Sequence, residues 1–281
     1  MKNILFIGGD ERNIHIYETI KNKFENSDII AFKDKEYDKE KVANAGIIVL
    51  PILSSKDAEF LYSPLYDKQI RIEELLSSIK NAKIIIGGRI DKNTKSFAEN
   101  NNIRCIEYIE LENFKSLNAI PTAEAALAIA VLNTKKTIWR SKCLVAGYGC
   151  IGKYLCFLLQ AMGAEVVASA RKESDFNEMK RKNINFINTC DINEDLEKYD
   201  IIFNTIPHRI FSEEKIKDLK KDKLLIDLAS APYGLDHSKT ENYKCKVFLS
   251  SSLPGIYSPK TAAEITTDVL EEILKEVVND V

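Results

Sequence analysis

The sequence is short of several things, and each shortage removes a class of protein. No uninterrupted apolar run approaches the roughly 20 residues that cross a bilayer, so no membrane is expected. The start, Met1 to Gly9, is too short and too quickly polar for a secretory signal, and it reads as a first strand. Net charge is nearly absent: 40 Lys and Arg stand against 42 Asp and Glu. That balance gives no support for nucleic acid or an acidic membrane surface as partner. The six cysteines, at 105, 143, 150, 156, 190 and 245, form no C-x-x-C pair. Neither zinc nor a disulfide framework is expected, and the thiols read as reduced and cytoplasmic. Cys143 and Cys156 look like core positions, and Cys150 like a small filler in a turn. Histidine is scarce too, with three in the chain. His208, just after Pro207, is the best placed to act as an acid or base; His15 and His237 read as surface positions.

What is present is the composition of a globular protein, 45% apolar and 29% charged. A length of 281 residues suits one large domain or two ordinary ones. Residues 1 to 118 alternate short apolar strands with helical patterns, which implies a parallel sheet covered on both faces. Strands are expected at Ile4–Ile7, Ile29–Phe32, Gly46–Leu50, Lys83–Ile86 and Cys105–Tyr108. Helices are expected at 13–24, 70–80 and 94–100. Gly8-Gly9-Asp10-Glu11-Arg12 and Gly87-Gly88-Arg89 each put an arginine beyond the carboxyl end of a strand, where open α/β sheets bind ligands. Arginine forks match carboxylates, so Arg12 and Arg89 are candidates for holding a small carboxylate; surface ion pairs are the plain alternative. The first glycine pair lacks the third glycine of a dinucleotide fingerprint, so no second nucleotide site is expected there.

Residues 119 to 135 read as a linking helix. Pro121 and Thr122 look like its start, which puts Glu124 in a first turn. A carboxylate there suits the helix dipole, yet a helix joining two α/β halves should begin at the cleft between them. Residues 136 to 258 read as the nucleotide half. Gly147-Tyr148-Gly149-Cys150-Ile151-Gly152 sits between the apolar strand 143–146 and a helical pattern, in the context a dinucleotide-binding turn requires. The second strand ends at Ala170 and is followed by Arg171 and Lys172. An NAD site usually has a carboxylate at this strand end, about 20 residues past the glycines. Its absence, with two cations in its place, favours NADP over NAD. Later strand ends, Thr205-Ile206-Pro207 and Ala229-Ser230, should face the ribose and nicotinamide. A loop at 253–262 leads to a final helix at 263–278, within a C-terminal segment 259–281 expected to return to the first domain. That return would bring Lys260 near the cleft.

Taken in order, Gly8-Gly9-Asp10-Glu11-Arg12, Ile120-Pro121-Thr122-Ala123-Glu124, the glycine turn, Ala170-Arg171, Asn204 to Pro207, Ile226 to Ser230, Leu253-Pro254-Gly255 and Pro259 to Ala262 carry a resemblance. With them the chain resembles the family formed by the A subunits of dipicolinate synthase, from spore-forming bacteria. The family pattern is looser at Ala125, where glycine is expected, at Cys150-Ile151 and at Ala231-Pro232-Tyr233-Gly234. The resemblance implies two doubly wound α/β domains, as in D-2-hydroxyacid and alanine dehydrogenases, the second a Rossmann NAD(P)-binding domain. It implies oxidation of a cyclic dihydrodipicolinate-type dicarboxylate to dipicolinate, with a flavoprotein-like B subunit, in the mother cell. A homo-oligomer is allowed for. Aromatisation also removes a ring proton, for which Glu124 and His208 are candidate bases. Two other readings stay open: an NADP-dependent dehydrogenase of another small carboxylate, and a nucleotide-binding regulatory protein without chemistry of its own.

Overall fold

The computed structural model describes residues 3–249 and 252–279. The chain forms two compact units, Met1–Lys115 with Pro259–Val281, and Ser116–Ser258.

The first unit runs β1 (Ile4–Ile7), α1 (Glu11–Ile20), β2 (Ser27–Ile30), α2 (Lys39–Asn44), β3 (Ile47–Val49), α3 (Ile72–Ser78), β4 (Ile84–Gly87), α4 (Lys92–Asn100) and β5 (Arg104–Glu107). Every residue of β1, β3 and β4 is buried. Strands covered on both faces read as continuous apolar runs rather than alternating ones, as they do here. The order is β2-β1-β3-β4-β5, with every pairing parallel. Order reverses between β1 and β3, so a ligand crevice belongs outside their carboxyl ends. α1 starts two residues earlier than expected because Asp10 caps it, accepting the Arg12 N–H at 3.0 Å.

The chain then passes along α5 (Glu112–Asn133). This corrects the expected start at Pro121, which lies inside the helix. Proline removes one helical N–H, but the preceding turn is held by Phe114, buried against Tyr108 with ring centroids 5.3 Å apart. Ala119, Ala123, Ala126 and Ala130 form the buried stripe. α5 is also long and apolar enough, by length and composition, to cross a membrane. Asn118, Pro121, Thr122 and Glu124 interrupt its sequence, so no single apolar run marks it. Ala123, Ala126, Ala130 and Ile129 sit in the core of the second unit, the position of a core helix.

The second unit continues with β6 (Lys142–Ala146), α6 (Cys150–Ala161), β7 (Glu165–Ala170), α7 (Glu173–Arg181), β8 (Asn185–Asn188), β9 (Ile201–Asn204), α8 (Glu213–Asp218), β10 (Leu224–Asp227), β11 (Lys246–Leu249) and α9 (Leu253–Tyr257). The sheet order is β11-β10-β9-β6-β7-β8, again all parallel. This is the doubly wound Rossmann order, reversing between β6 and β9. Two cores cover its faces, one built on Val145, Leu155, Leu159, Ile201 and Ile226, the other on Leu144, Ile202, Ile216 and Leu225. Cys143 and Cys156 are buried in the first, as expected.

α10 (Pro259–Asn279) returns to the first unit and lies along α1. Ile265, Val269, Ile273 and Val277 recur at helical spacing and share a core with Phe6, Ile16 and Ile20. It begins at Pro259, where a loop was expected, because proline suits a first helical position. The short α9 occupies the rest of that expected loop.

Candidate active site

β6 delivers the chain to Gly147 at the point where strand order reverses. Gly147 has φ of 98°, a conformation that side chains rarely adopt. A Cβ there would also strike Thr205 Oγ1. Its N–H donates to Ser169 Oγ at 3.2 Å, and Thr205 Oγ1 donates to the Ala146 carbonyl at 2.9 Å. The turn is thus pinned to β7 on one side and β9 on the other. Gly152, in the first turn of α6, lies so close that a Cβ would meet the Gly147 carbonyl oxygen. Gly149 is different: apart from its chain neighbours and its own helix backbone, none of the described residues lies within 4 Å of where its Cβ would be. It caps α6 without a side-chain bond, and among the described residues no acceptor meets the N–H groups of Gly149, Cys150 or Ile151. Free amides at the positive end of a helix dipole, under open space, fit a pyrophosphate. Cys150 is half-buried, its Sγ 3.9 Å from Ser116 Oγ.

Tyr148 is buried behind this turn, and its hydroxyl has no partner among the described residues. Burial pushes that hydroxyl up to about 12. β7 ends at the buried Ala170, with no carboxylate at the strand end. Arg171 and Lys172 follow, both exposed, and neither makes an ion pair among the described residues. The next carboxylates, Glu173 and Asp175, already belong to the first turn of α7.

The carboxyl ends of β9 and β10 are tied together. Register sets Asn204 opposite Asp227. The Asn204 amide donates to Asp227 Oδ1 at 2.8 Å and to the Ile206 carbonyl at 3.0 Å, which shapes the Thr205-Ile206-Pro207 turn. Asp227 is fully buried and also accepts the backbone N–H of Ala229 at 3.2 Å and of Gly234 at 2.9 Å. His237 Nε2 lies 3.2 Å from Asp227 Oδ2. His237 is therefore no free surface histidine, which corrects the sequence reading. Its pairing was hidden because a ten-residue loop must fold back to make it. Ser169, Asn204 and Asp227 were also missed as site residues, though Asn204 and Asp227 each close an apolar strand with a polar residue. His208 is exposed and its ring has no partner among the described residues. Ser230 is exposed in the loop after β10.

In the first unit, Arg12 is already engaged. Its guanidinium reaches Asp10 through Nη2 at 2.6 Å and Nε at 3.0 Å. Burial alone would push the Asp10 carboxyl up, but the hydrogen bonds and charge of Arg12 outweigh it and hold that carboxyl below its ordinary value. The same contact raises the Arg12 guanidinium. Arg89 is exposed and makes no ion pair among the described residues. Its backbone is fixed, donating to the Ile52 carbonyl at 2.7 Å and accepting from Ser54 at 3.0 Å. Gly88 permits this approach, since a Cβ there would strike Ile52. Lys260 is exposed in the first turn of α10. Glu124 is exposed and lies mid-helix rather than in a first turn. It borders a groove with Leu127, Val131, Leu158 and Met162, a mainly apolar wall.

Comparison with known proteins agrees with this geometry. Residues 3–109 match the family model for the N-terminal domain of the dipicolinate synthase A subunit. Residues 130–233 match the D-isomer specific 2-hydroxyacid dehydrogenase, NAD binding domain. The chain is a nicotinamide-dependent oxidoreductase. It is 26% identical to the dipicolinate synthase A subunit of Bacillus subtilis, over 98% of this chain and 96% of that protein. The crystal structure of the Bacillus subtilis protein superposes with a TM-score of 0.91 at 24% identity, covering 100% of this chain and 98% of the other. The oxidoreductase also shares its fold with D-lactate dehydrogenase of Aquifex aeolicus, solved with NAD and lactic acid. That match has a TM-score of 0.57 at 16% identity, over 99% of this chain and 96% of the other. The likeness to the dipicolinate synthase A subunit thus runs along the whole chain.

The glycines of the turn are expected to separate by role. Gly149→Val should abolish most nucleotide binding in a calorimetric titration while leaving the denaturant midpoint near wild type. Gly152→Ala should instead cost about 1–3 kcal/mol of stability, because backbone must move to admit the methyl group. Arg12→Ala should destabilise the protein by about 1 kcal/mol near neutrality. Asp10 titrates below its ordinary value when folded, so its contribution is present above that ordinary value and lost as pH falls through the folded one. The gap between wild type and variant in urea denaturation should therefore narrow below about pH 4.

Proposed function

We propose that this oxidoreductase uses NADP to oxidise a cyclic dihydrodipicolinate-type dicarboxylate to dipicolinate. It works with a flavoprotein-like B subunit in the mother-cell cytoplasm of a sporulating bacterium. The observation that carries the cofactor half is the β7 end, where a buried alanine and two cations without an ion pair among the described residues stand in place of a carboxylate. A 2′-phosphate needs such cations, and a free 2′-hydroxyl prefers a carboxylate. The amides of Gly149, Cys150 and Ile151 would hold the pyrophosphate, and Thr205 to Pro207 with Ser230 would border the nicotinamide half. When bound, the nicotinamide accepts a hydride from the ring.

The chain's own residues bind and orient the dicarboxylate. Arg89 presents a guanidinium with no ion pair among the described residues at the carboxyl end of β4, on a backbone fixed by Ile52. Arg12 offers what remains of a fork already shared with Asp10, so its part is the smaller. Lys260 adds positive charge from α10. Glu124 and His208, the bases expected from the sequence, are both exposed, and neither side chain has an orienting partner among the described residues. The second reading, oxidation of another small carboxylate, is favoured by the match of residues 130–233 to a 2-hydroxyacid dehydrogenase domain. Assay of the purified chain with the dihydro-dicarboxylate and with 2-hydroxy acids, with and without the B subunit, separates these readings from a purely regulatory one.

Arg171→Asp is expected to weaken NADP binding and to spare or improve NAD binding, read by calorimetry with both nucleotides. Equal losses would remove Arg171 from the site. Arg89→Ala is expected to weaken dipicolinate binding by one to two orders of magnitude, since a charge-assisted hydrogen bond contributes about 1.5–3 kcal/mol. NADP affinity, measured on the same sample, should hardly change.

A further inference from the structure

His237 and Asp227 form an arrangement that none of the roles above uses. Asp227 is fully buried at the carboxyl end of β10, and His237 is 24% exposed above it. A carboxylate only accepts hydrogen bonds, so Nε2 of His237 carries the proton in this pair. Nδ1 is left as an acceptor, with no partner among the described residues. The ring is held flat against Tyr233, centroids 3.7 Å apart and planes 24° apart. The neighbouring charges are engaged elsewhere. Asp236 pairs with Arg209 at 3.1 Å and accepts the Ser238 hydroxyl at 2.7 Å, and Lys239 pairs with Glu213 at 2.6 Å. Asp227 is thus the ionic partner of His237. An imidazole whose one nitrogen is fixed by a buried carboxylate and whose other is free is the form a general base takes.

Its place in the sheet suits the reacting end of the nucleotide. A dinucleotide lies across the reversal of strand order, its adenosine half on the side of β7. A nicotinamide half bound in this way would lie on the side of β9 and β10. Strands are spaced by about 4.8 Å, so the carboxyl end of β10 is roughly 10 Å from the glycine turn of β6. The loop from Ala229 to His237 is anchored there by Asp227 through Ala229 and Gly234.

We propose that His237 is the general base of the reaction and Asp227 its positioning residue. The inference rests on the NADP-dependent oxidation proposed above. In that step a ring C–H bond breaks, and its electron pair leaves as hydride to the oxidised nicotinamide. A proton leaves the neighbouring ring atom for Nδ1 of His237. The electron pair it leaves behind becomes the new ring π bond. The imidazolium formed lies against the Asp227 carboxylate and later returns its proton to water. The product dipicolinate has a ring nitrogen able to accept from the same Nδ1–H.

The test uses His237→Gln, whose amide nitrogen can reach Asp227 as Nε2 does but which cannot take up a proton. Dipicolinate binding is measured by calorimetry in two buffers of different ionisation enthalpy, beside NADP binding. Wild type should take up a proton on binding dipicolinate near neutral pH, and the variant should take up none. In turnover the variant should lose about 10²-fold or more in kcat, with little change in KM. It should also lose the fall in rate toward acid pH. Wild-type proton uptake and rate in His237→Gln overturn the role of His237 and leave the function proposed above intact. Weaker NADP binding with an unchanged pH profile makes His237 a loop anchor and also overturns it. A wild-type chain that binds NADP but neither binds dipicolinate nor oxidises its dihydro form overturns the substrate reading, and the role of His237 falls with it.

Discussion

The nucleotide half depends on one close approach, that of the Gly152 α-carbon to the Gly147 carbonyl. Because no Cβ intervenes, α6 begins hard against the end of β6. That contact aims the first amides of α6 across the carboxyl edge of the sheet, beside the reversal of strand order. It also leaves no room for a side chain at Gly147, where Thr205 closes the other wall. Bonds from Gly147 to Ser169 and from Thr205 to Ala146 then lock the turn between its two neighbouring strands. Move the helix by the width of a methyl group and the free amides no longer converge. The open space over Gly149 exists because the two flanking glycines are so tightly held.

The other half of the same edge is organised by a buried charge. An ionised carboxylate taken out of water costs several kcal/mol unless it is well bonded. Asp227 meets that condition with donors from Asn204, Ala229, Gly234 and His237. The carboxylate therefore fixes the loop after β10 more firmly than apolar contact would, because every donor must be in place together. Asn204 carries the effect to β9, since its side-chain carbonyl accepts the Ile206 N–H at 3.1 Å. The segment Thr205 to Pro207 and the segment Ala229 to His237 are thus one unit of geometry.

Much of this was legible in the sequence. Short, fully apolar runs ending in glycine, asparagine or aspartate announced parallel strands buried on both faces, and the spacing of Gly147, Gly149 and Gly152 announced the turn. What stayed hidden shares one cause, partners brought together by folding. Pro121 reads locally as a helix start, yet the buried Phe114 and the alanine stripe carry α5 through it. Arg12 reads as a free cation, yet Asp10 both caps α1 and grips its guanidinium. His237 reads as a surface residue, since nothing in its own segment shows that a strand end ten residues earlier will lie beneath it.

The two sheets also show why one strand-end glycine pair does not imply the other's use. In the first unit the Gly8 N–H donates to Ile30 and the Gly9 N–H to Tyr62, each at 3.0 Å, and Asp10 and Asn13 cap α1 reciprocally. The loop after β3 lies over the turn, with Leu61 and Ser63 close to Gly8. Its amides are spent before any phosphate arrives. In the second unit Gly149 caps α6 with no side chain, and the amides of Cys150 and Ile151 meet no acceptor among the described residues. The same doubly wound logic therefore yields one edge that offers backbone amides and one that has chiefly side chains left to offer. On that second edge Arg12 is partly consumed by its own cap. Arg89, by contrast, is exposed at the end of β4 and makes no ion pair among the described residues.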